Sequence, residues 1–273
     1  MVAGNLRKAL WYLEIVPKLG IANTIFVFYY RIFLKYGCAV RKFPIVNYDQ
    51  EGPVFLECAT KKGLAAGRKK PVLEQADRIL TGQLPYYSFH WMKQSSPPNW
   101  FLNPFNGREL NATGKHWSRI SDFKEGIGDI KNIWEASRFT WLGILARAYV
   151  LSGNIIYLNT LNEWLSDWNK RNPVNQGPHW KCGQEASFRV LALLNAASIL
   201  DQVDKSSKML IEMIRLHLWR INGNNRYALA QRNNHASSEA AALYIGGSFL
   251  MRRTEDEGGR NQRYARKGRK ALE

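Results

Sequence analysis

Apolar residues recur at intervals of three and four along the second half of the chain, the spacing of one face of an α-helix. The first such stretch, Asp129–Ser152, ends at Gly153, and the next, Asn154–Asn172, ends at Pro173. Glycine and proline commonly stand just after a helix. The same spacing predicts further helices over Gln184–Leu200, Lys205–Asn222, Asn234–Arg252 and Arg260–Glu273.

The preceding residues, 41–125, show no long periodic run. Frequent prolines interrupt any extended helix there, and only Val72–Leu80 predicts one. The segment Pro85–Phe105 is rich in aromatic residues. We expect it to pack over a core or line a groove, because coil this aromatic seldom stays in solvent. The pattern divides the chain into a lead-in over residues 1–70 and a helical domain over residues 71–273.

Within the lead-in, Ile21–Leu34 predicts an amphipathic helix, which is too short to span a bilayer. Its aromatic residues recur every three or four positions, which favours docking onto the domain. Basic residues flank it, which leaves peripheral contact with a membrane surface through residues 18–42 as the alternative. These basic residues are Lys18, Arg31, Lys35, Arg41 and Lys42.

A short motif recurs about every fifty residues in the helical half: Glu135-Ala136-Ser137, Glu185-Ala186-Ser187 and Ser238-Glu239-Ala240. A period of this length, made of two helices, is typical of stacked α-hairpins. If each first helix faces inward, the polar helix starts collect at one rim. The pattern therefore predicts an all-α fold, an incomplete (α/α) toroid of helical hairpins around a cleft. The alternative for the glutamates alone is that the helix dipole favours acids at helix starts.

Composition narrows the class of partner. The chain has 273 residues, 45% of them hydrophobic, enough to bury a sizeable core. Its 39 Lys and Arg against 22 Asp and Glu give a net charge of +17, which attracts anions. An acidic polysaccharide, an anionic membrane and nucleic acid all fit this charge, but no zinc-finger or RNP motif supports nucleic acid. The three cysteines (Cys38, Cys58 and Cys182) lack paired spacing, so no disulfide framework, metal or cofactor is predicted.

Three segments together resemble one family. Asp129–Arg138 matches the pattern D-x-K-x-x-W-E-x-S-R, and Trp180–Arg189 matches W-x-x-G-x-E-x-x-x-R. Asn233–Ala240 then matches N-N-H-x-x-x-E-A. In order and spacing, these segments resemble heparinase II/III-type proteins over roughly residues 75–273.

The resemblance implies an α/α toroid that is normally followed by a β-sandwich domain. It also implies lyase action on uronic-acid-containing polysaccharides, such as heparan sulfate, alginate or bacterial surface polysaccharides. In that family a catalytic tyrosine follows the point where this sequence stops, and a further histidine comes from the β-sandwich. We therefore expect this chain to be truncated, to lack the β-sandwich, and to be inactive by itself if nothing replaces those residues.

The same resemblance assigns the catalytic roles. Asn234 would neutralise the uronate carboxylate, because an amide donates a hydrogen bond without adding a competing acid. His235 would share that donation or act on the proton, since its pKa lies near neutrality. The alternative is that Asn233-Asn234-His235 is a helix cap, a role that fits Asn233 in particular.

Other residues of the three motifs are candidate substrate contacts. Arg138 and Arg189 can grip carboxylate or sulfate through the guanidinium fork, and Trp180 can stack on a sugar ring. The alternative for the arginines is an ion pair with Glu185 or Glu135 that holds neighbouring helices. Trp134 lies on the apolar face of its predicted helix, which favours a place in the core. The predicted substrate-binding set is Glu135, Arg138, Trp180, Glu185, Arg189 and Asn233.

Two rival functions remain open at this point. One is a non-catalytic domain that binds acidic glycans. The other is an α/α-toroid glycoside hydrolase, which needs two opposed carboxylic acids drawn from Glu135, Glu185 and Glu239. The N-terminus shows no clear export signal, which favours the cytoplasm, with the periplasm as the alternative. The pattern indicates no oligomeric state.

Overall fold

The computed structural model describes residues 16–58, 69–255 and 257–273. The all-α fold predicted from the periodicity is confirmed. The helices are α1 (Ile21–Lys35), α2 (Cys38–Lys42), α3 (Lys69–Leu80), α4 (Lys131–Trp134), α5 (Thr140–Ser152), α6 (Ile155–Arg171), α7 (Gly183–Ile199), α8 (Lys208–Gln231), α9 (Asn234–Arg253) and α10 (Arg260–Leu272).

The predicted helical hairpins are present. Helix α5 packs against α6 and α7, α7 packs against α8 and α9, and α9 packs against α10. The first helices of the three hairpins, α5, α7 and α9, thus lie side by side, and α3 packs on α5 at the beginning of the row. This arrangement is toroid-like and brings the segments that precede α5, α7 and α9 near one rim.

The stretch predicted as one helix, Asp129–Ser152, is instead broken in two. After α4 the chain forms a 3₁₀ turn, Glu135–Arg138, and Phe139 then adopts a left-handed conformation with φ 60° before α5 begins. The Phe139 ring is fully buried against Trp141 and Trp168. Burial of this ring compensates for a backbone conformation that a non-glycine residue seldom adopts.

The irregular region is more ordered than its sequence indicates. With the few residues that follow it, up to Asp129, it forms three antiparallel two-stranded hairpins in addition to α3. Their strands are β1 (Gln83–Tyr86) with β2 (His90–Lys93), β3 (Leu102–Asn103) with β4 (Arg108–Glu109), and β5 (Phe123–Lys124) with β6 (Gly128–Asp129). Tyr86 and Trp100 are fully buried, so the aromatic segment does pack over the core.

Phe55 and Leu56 of the lead-in lie against α6 and the turn that follows α7. The Asn162 side chain of α6 accepts from the Phe55 N–H at 2.9 Å and donates to the Phe55 carbonyl at 2.8 Å. Gln202 makes the same paired contact with the backbone of Leu56, at 2.9 and 2.6 Å. Two amide side chains thus satisfy extended backbone that has no sheet partner there.

Helix α1 docks against α8, which agrees with the first of the two alternatives drawn from its sequence. Tyr30 is buried and stacks on Tyr227 with ring centroids 4.0 Å apart, and its hydroxyl accepts a hydrogen bond from Asn224. The opposite face of α1 stays in solvent. Within the described ranges, no helix combines the length and apolar character needed to cross a bilayer.

Candidate functional site

The first two helix starts at the rim are joined by one ion-pair cluster. The Arg138 guanidinium donates two parallel hydrogen bonds to Glu185 at the start of α7, from Nε and from Nη2, both at 2.8 Å. Its remaining nitrogen, Nη1, contacts the Glu135 carboxylate. A planar fork facing carboxylates in this way is the strongest geometry available to arginine.

Glu135 and Glu185 are therefore not positioned as direct substrate contacts, which corrects their predicted role. Their side chains are almost wholly buried, and Arg138 occupies both carboxylates. Glu135 also accepts the backbone N–H of Tyr87 at 2.9 Å. Burial raises the pKa of Glu135, although the Tyr87 N–H and Arg138 oppose the rise. The ion-pair alternative holds for these two glutamates, while Arg138 itself keeps a partly exposed side chain.

Arg189 is also removed from the predicted substrate-binding set. It is fully buried and donates to His217 Nε2 at 2.9 Å and to the His179 carbonyl at 2.7 Å. Its guanidinium lies over the rings of Trp168 and Trp180, 5.1 and 5.4 Å from their centroids. A buried arginine in this setting holds α7 to α8, and no glycan can reach it.

Trp180 needs the same correction. Its ring is fully buried and its indole N–H donates to the Asn172 carbonyl at 3.1 Å. It cannot stack on a sugar from this position. Trp134 is buried as expected, with its N–H donating to the Pro178 carbonyl at 3.0 Å. The tryptophans of the motifs thus serve packing, because indole rings bury a large apolar area once their N–H has a partner.

The start of α9 differs from the other two because its polar side chains stay accessible. Asn233 caps the helix: its Oδ1 accepts the backbone N–H of His235 at 3.0 Å. The helix-cap interpretation is therefore confirmed for Asn233, whose carbonyl oxygen is occupied. Asn234 follows as the first residue of α9 and is exposed. Its amide is available to a ligand at a helix N-terminus, where the dipole favours negative charge.

His235 follows that exposed amide and contacts the residue before α7. The ring is half-buried, and its Nδ1 lies 3.6 Å from the Sγ of Cys182, the residue before α7. Burial lowers the pKa of His235, the charge of Lys131 lowers it further, and Glu185 opposes both. Burial raises the pKa of Cys182 to about 11. Near neutral pH a protonated thiol therefore faces a neutral imidazole, and the thiol can donate to Nδ1, which leaves Nε2–H as a donor.

Glu239, the third glutamate of the repeat, is buried one and a half turns into α9. Its carboxylate packs on the backbone of Gly183, where an added Cβ would lie only 2.2 Å from Oε1. Asn225 donates to Glu239 Oε2 at 3.4 Å. Burial raises the pKa of Glu239 to about 7, against the opposing effects of Arg220, Asn225 and Lys267. This carboxyl group lies inside the hairpin contact and not in the cleft.

Tyr87 is a rim residue that the motifs did not reveal. It stands in the turn between β1 and β2 with φ 50°, next to Ser88 with φ 72°. Its hydroxyl donates to Asn132 Oδ1 at 2.6 Å, and its own N–H holds Glu135. Burial and the nearby charge of Glu135 raise the pKa of its phenol. Tyr87 could not be distinguished from the buried Tyr86 by sequence, because only strand pairing separates their surroundings.

The structure therefore gathers part of the predicted site and rejects the rest. Asn234, His235 and Arg138 lie at accessible or partly accessible positions around the starts of α7 and α9, with Cys182 and Tyr87 added. Among the residues in the described ranges, no group of three or more histidines, cysteines and acids is placed to hold a metal ion.

Comparison with known proteins gives a distant likeness in fold. No protein-family model matches the chain, and no curated protein matches it. Among solved structures, heparan sulfate lyase HepC from Pedobacter heparinus and a mutant of it each resemble the chain with a TM-score of 0.47 and 18% sequence identity. Each alignment covers 92% of this chain and 34% of HepC, so the chain spans about a third of the length of that protein.

Proposed function

We propose that this chain takes part in cleaving a uronic-acid-containing polysaccharide by β-elimination, with Asn234 and His235 at the reacting sugar. The observation that carries the proposal is the exposed Asn234 amide at the first residue of α9, beside a neutral His235. The three ordered motifs that resemble heparinase II/III-type proteins supply the reaction class. The net charge of +17 fits an anionic substrate.

The chemistry explains why an amide is useful at this position. In β-elimination a base removes the C5 proton, the C–H electron pair becomes the C4–C5 double bond, and the 4-O glycoside leaves with a proton. The C5 proton is weakly acidic because removing it adds charge beside an ionised carboxylate. Hydrogen bonds to that carboxylate stabilise the dianion that develops. In the proposal Asn234 donates these bonds, and the positive end of the α9 dipole adds to their effect.

His235 supports the same step in this proposal. Cys182 occupies its Nδ1, so Nε2–H is the donor that remains for the carboxylate. The lowered pKa of His235 keeps the ring uncharged, and the backbone N–H of His235 is fixed by Asn233. Both contacts orient the imidazole, which reduces the freedom it loses on binding substrate.

A hydrolase fits the geometry less well. It needs two opposed carboxylic acids at the reacting bond. Arg138 binds Glu135 and Glu185, and Glu239 packs against Gly183. With all three carboxylates buried, none is free to act as acid or nucleophile on a glycan.

The direct test compares the chain with its Asn234→Ala variant. Each is incubated with heparan sulfate and with alginate, and ultraviolet absorbance of the unsaturated uronide product is followed. In a version of the protein that turns over, we expect the Asn234→Ala substitution to lower turnover roughly 10²- to 10³-fold, as when one donor to a developing oxyanion is removed. Asn159→Ala, an exposed asparagine on α6, is the matched control and should keep full activity.

A binding measurement distinguishes a lyase from a non-catalytic glycan-binding domain. Affinity for each glycan is measured by calorimetry in parallel with turnover. Binding that depends on Asn234, in a chain that produces no unsaturated product, would replace the lyase proposal with a binding domain. Equal binding and equal turnover in the chain and its Asn234→Ala variant would refute the site itself.

A further inference from the structure

The outward face of α1 carries a continuous apolar stripe. Its members step by four, three, four and four positions along the helix, so they share one face. They are Ile21, Ile25, Phe28, Ile32 and Tyr36, which are 70, 63, 52, 40 and 73% exposed. An exposed apolar row of this length marks an interaction surface in most proteins.

Every charged residue in the segment that carries the stripe is basic. Residues 16–48 contain no Asp or Glu but five Lys or Arg residues. Arg31 and Lys35 lie along one edge of the stripe, and Lys18, Arg41 and Lys42 lie near its ends. An apolar helix face bordered only by cations is typical of helices that lie in the interface of an anionic membrane.

A second positively charged feature lies beside this segment. The groove between α8 and α10 encloses about 880 Å³ and is lined by cations with no acid among them. Trp219 and Asn222 form the α8 side of the groove. The cations, which all come from α10, are Arg260, Arg263, Arg266, Lys267 and Lys270.

Direct contacts place the groove next to Lys42 of α2, the short helix that follows α1. Lys42 Nζ donates to the Gly223 carbonyl at 3.1 Å, and Lys267 Nζ donates to the neighbouring Asn222 at its carbonyl and at Oδ1. Burial lowers the pKa of Lys267, and the nearby charge of Lys42 contributes to that lowering. The groove therefore lies beside Lys42, the last residue of the basic segment that carries the stripe, across two successive residues of α8.

We propose that this face docks on an anionic phospholipid bilayer, with the α1 stripe entering the headgroup region and the α10 groove receiving lipid phosphates. Apolar area and basic charge act together in such binding, whereas either one alone gives weak attachment. A second copy of this chain fits less well, because two like surfaces that carry only positive charge repel each other.

The test is co-sedimentation of the full chain with vesicles. One set contains phosphatidylcholine alone and the other contains phosphatidylcholine mixed with phosphatidylglycerol. We expect binding to the second set only, and we expect it to weaken as salt is added. Ile25→Ser with Phe28→Ser, and separately Arg263→Gln with Arg266→Gln and Lys270→Gln, should each lower the partition coefficient roughly tenfold or more.

Matched controls change the same chemistry elsewhere. Ile156→Ser with Ile245→Ser replaces exposed isoleucines on α6 and α9, and Lys205→Gln with Lys208→Gln removes exposed lysines at the start of α8. Both should leave vesicle binding unchanged, and circular dichroism checks that every variant is folded. Asn234→Ala should bind vesicles normally, which keeps this surface separate from the proposed lyase site.

Three results would overturn the proposal. The first is failure of the chain to bind anionic vesicles. The second is binding that survives in the stripe variant, which would mean that charge alone acts. The third is a dimer by light scattering that the stripe substitutions dissociate, which would assign the face to a second copy.

Discussion

The three inner-helix starts use similar residues but differ in what they leave accessible. At the first two, Arg138 binds the carboxylates of Glu135 and Glu185 and the cluster is nearly buried. At the third, Asn233 caps the helix and Asn234 stays in solvent. Two starts thus hold the hairpins together, and only the third presents unused polar groups to a ligand.

The difference follows from the position of each acid along its helix. Glu185 is the third residue of α7, close enough to the helix start for its side chain to contact Arg138, which lies just before α5. Glu239 is the sixth residue of α9, by which point its side chain lies against Gly183 of the neighbouring helix. In α9 the first two positions of the helix are instead occupied by Asn234 and His235. A repeat in sequence therefore does not mean a repeat in function.

The largest effect is expected from Arg138→Met, which removes the ion-pair cluster at the first two helix starts. The substitution leaves two buried carboxylates without their cation. The free energy of unfolding should fall by roughly 3–5 kcal/mol, as when one partner of a buried ion pair is removed. Urea unfolding followed by circular dichroism measures the loss.

Two controls show whether charge or shape is responsible. Arg138→Lys keeps the charge and loses the fork, so it should cost less. Adding Glu185→Gln to Arg138→Met should recover part of the loss, because one uncompensated carboxylate disappears. Equal losses in all three variants would mean that the cluster acts through packing.

A smaller effect is expected at Glu239, where pH reveals the buried acid. Burial raises its pKa from 4.5 to about 7, so the folded chain holds a proton that the unfolded chain releases. This contribution to stability is complete below pH 4.5 and is lost as pH rises through about 7. Between about pH 5 and about pH 8 the free energy of unfolding should therefore fall by roughly 1–3 kcal/mol through this group.

Glu239→Gln should remove that part of the pH dependence and make the chain more stable than the original above neutrality. Glu163→Gln, an exposed glutamate on α6, is the control and should follow the original curve. The difference between the curves isolates Glu239, because Glu135, whose pKa is also raised, is present in every variant. Parallel curves for Glu239→Gln and the original chain would contradict the buried-acid interpretation.

Much of the helical fold could be predicted because it depends on local periodicity. Gly153 ends α5 in a left-handed conformation, as the glycine indicated, and α6 follows with Asn154 as its cap. The break at Phe139 could not be predicted, because a ring distant in sequence, that of Trp168, packs on Phe139 where its φ is positive. Helix α8 runs to Gln231, beyond the predicted Asn222, since Gly223 is tolerated where the Phe43 ring packs closely on it.

The site was harder to predict than the fold. The motifs predicted Asn234 and His235 as catalytic residues, and both lie at an accessible helix start, but they also predicted Arg189 and Trp180 as substrate contacts. Burial separates these two pairs, and burial of a charged residue depends on tertiary partners such as His217. Tyr87 could not be identified as a site residue for the same reason, because the sequence of an aromatic segment does not show which ring faces the rim.

The smallest predicted effect sharpens the comparison at the cap itself. Asn233→Ala removes the side chain that accepts the His235 N–H, and should lower the free energy of unfolding by about 1 kcal/mol. Asn154→Ala is a close control, because Asn154 caps α6 with the same contact two residues ahead, at 3.1 Å. Both variants should lose similar stability in urea. Only Asn233→Ala should also weaken glycan binding, since it frees the backbone that orients Asn234 and His235. Equal glycan affinity in the two variants would show that the start of α9 differs from other helix starts in exposure alone.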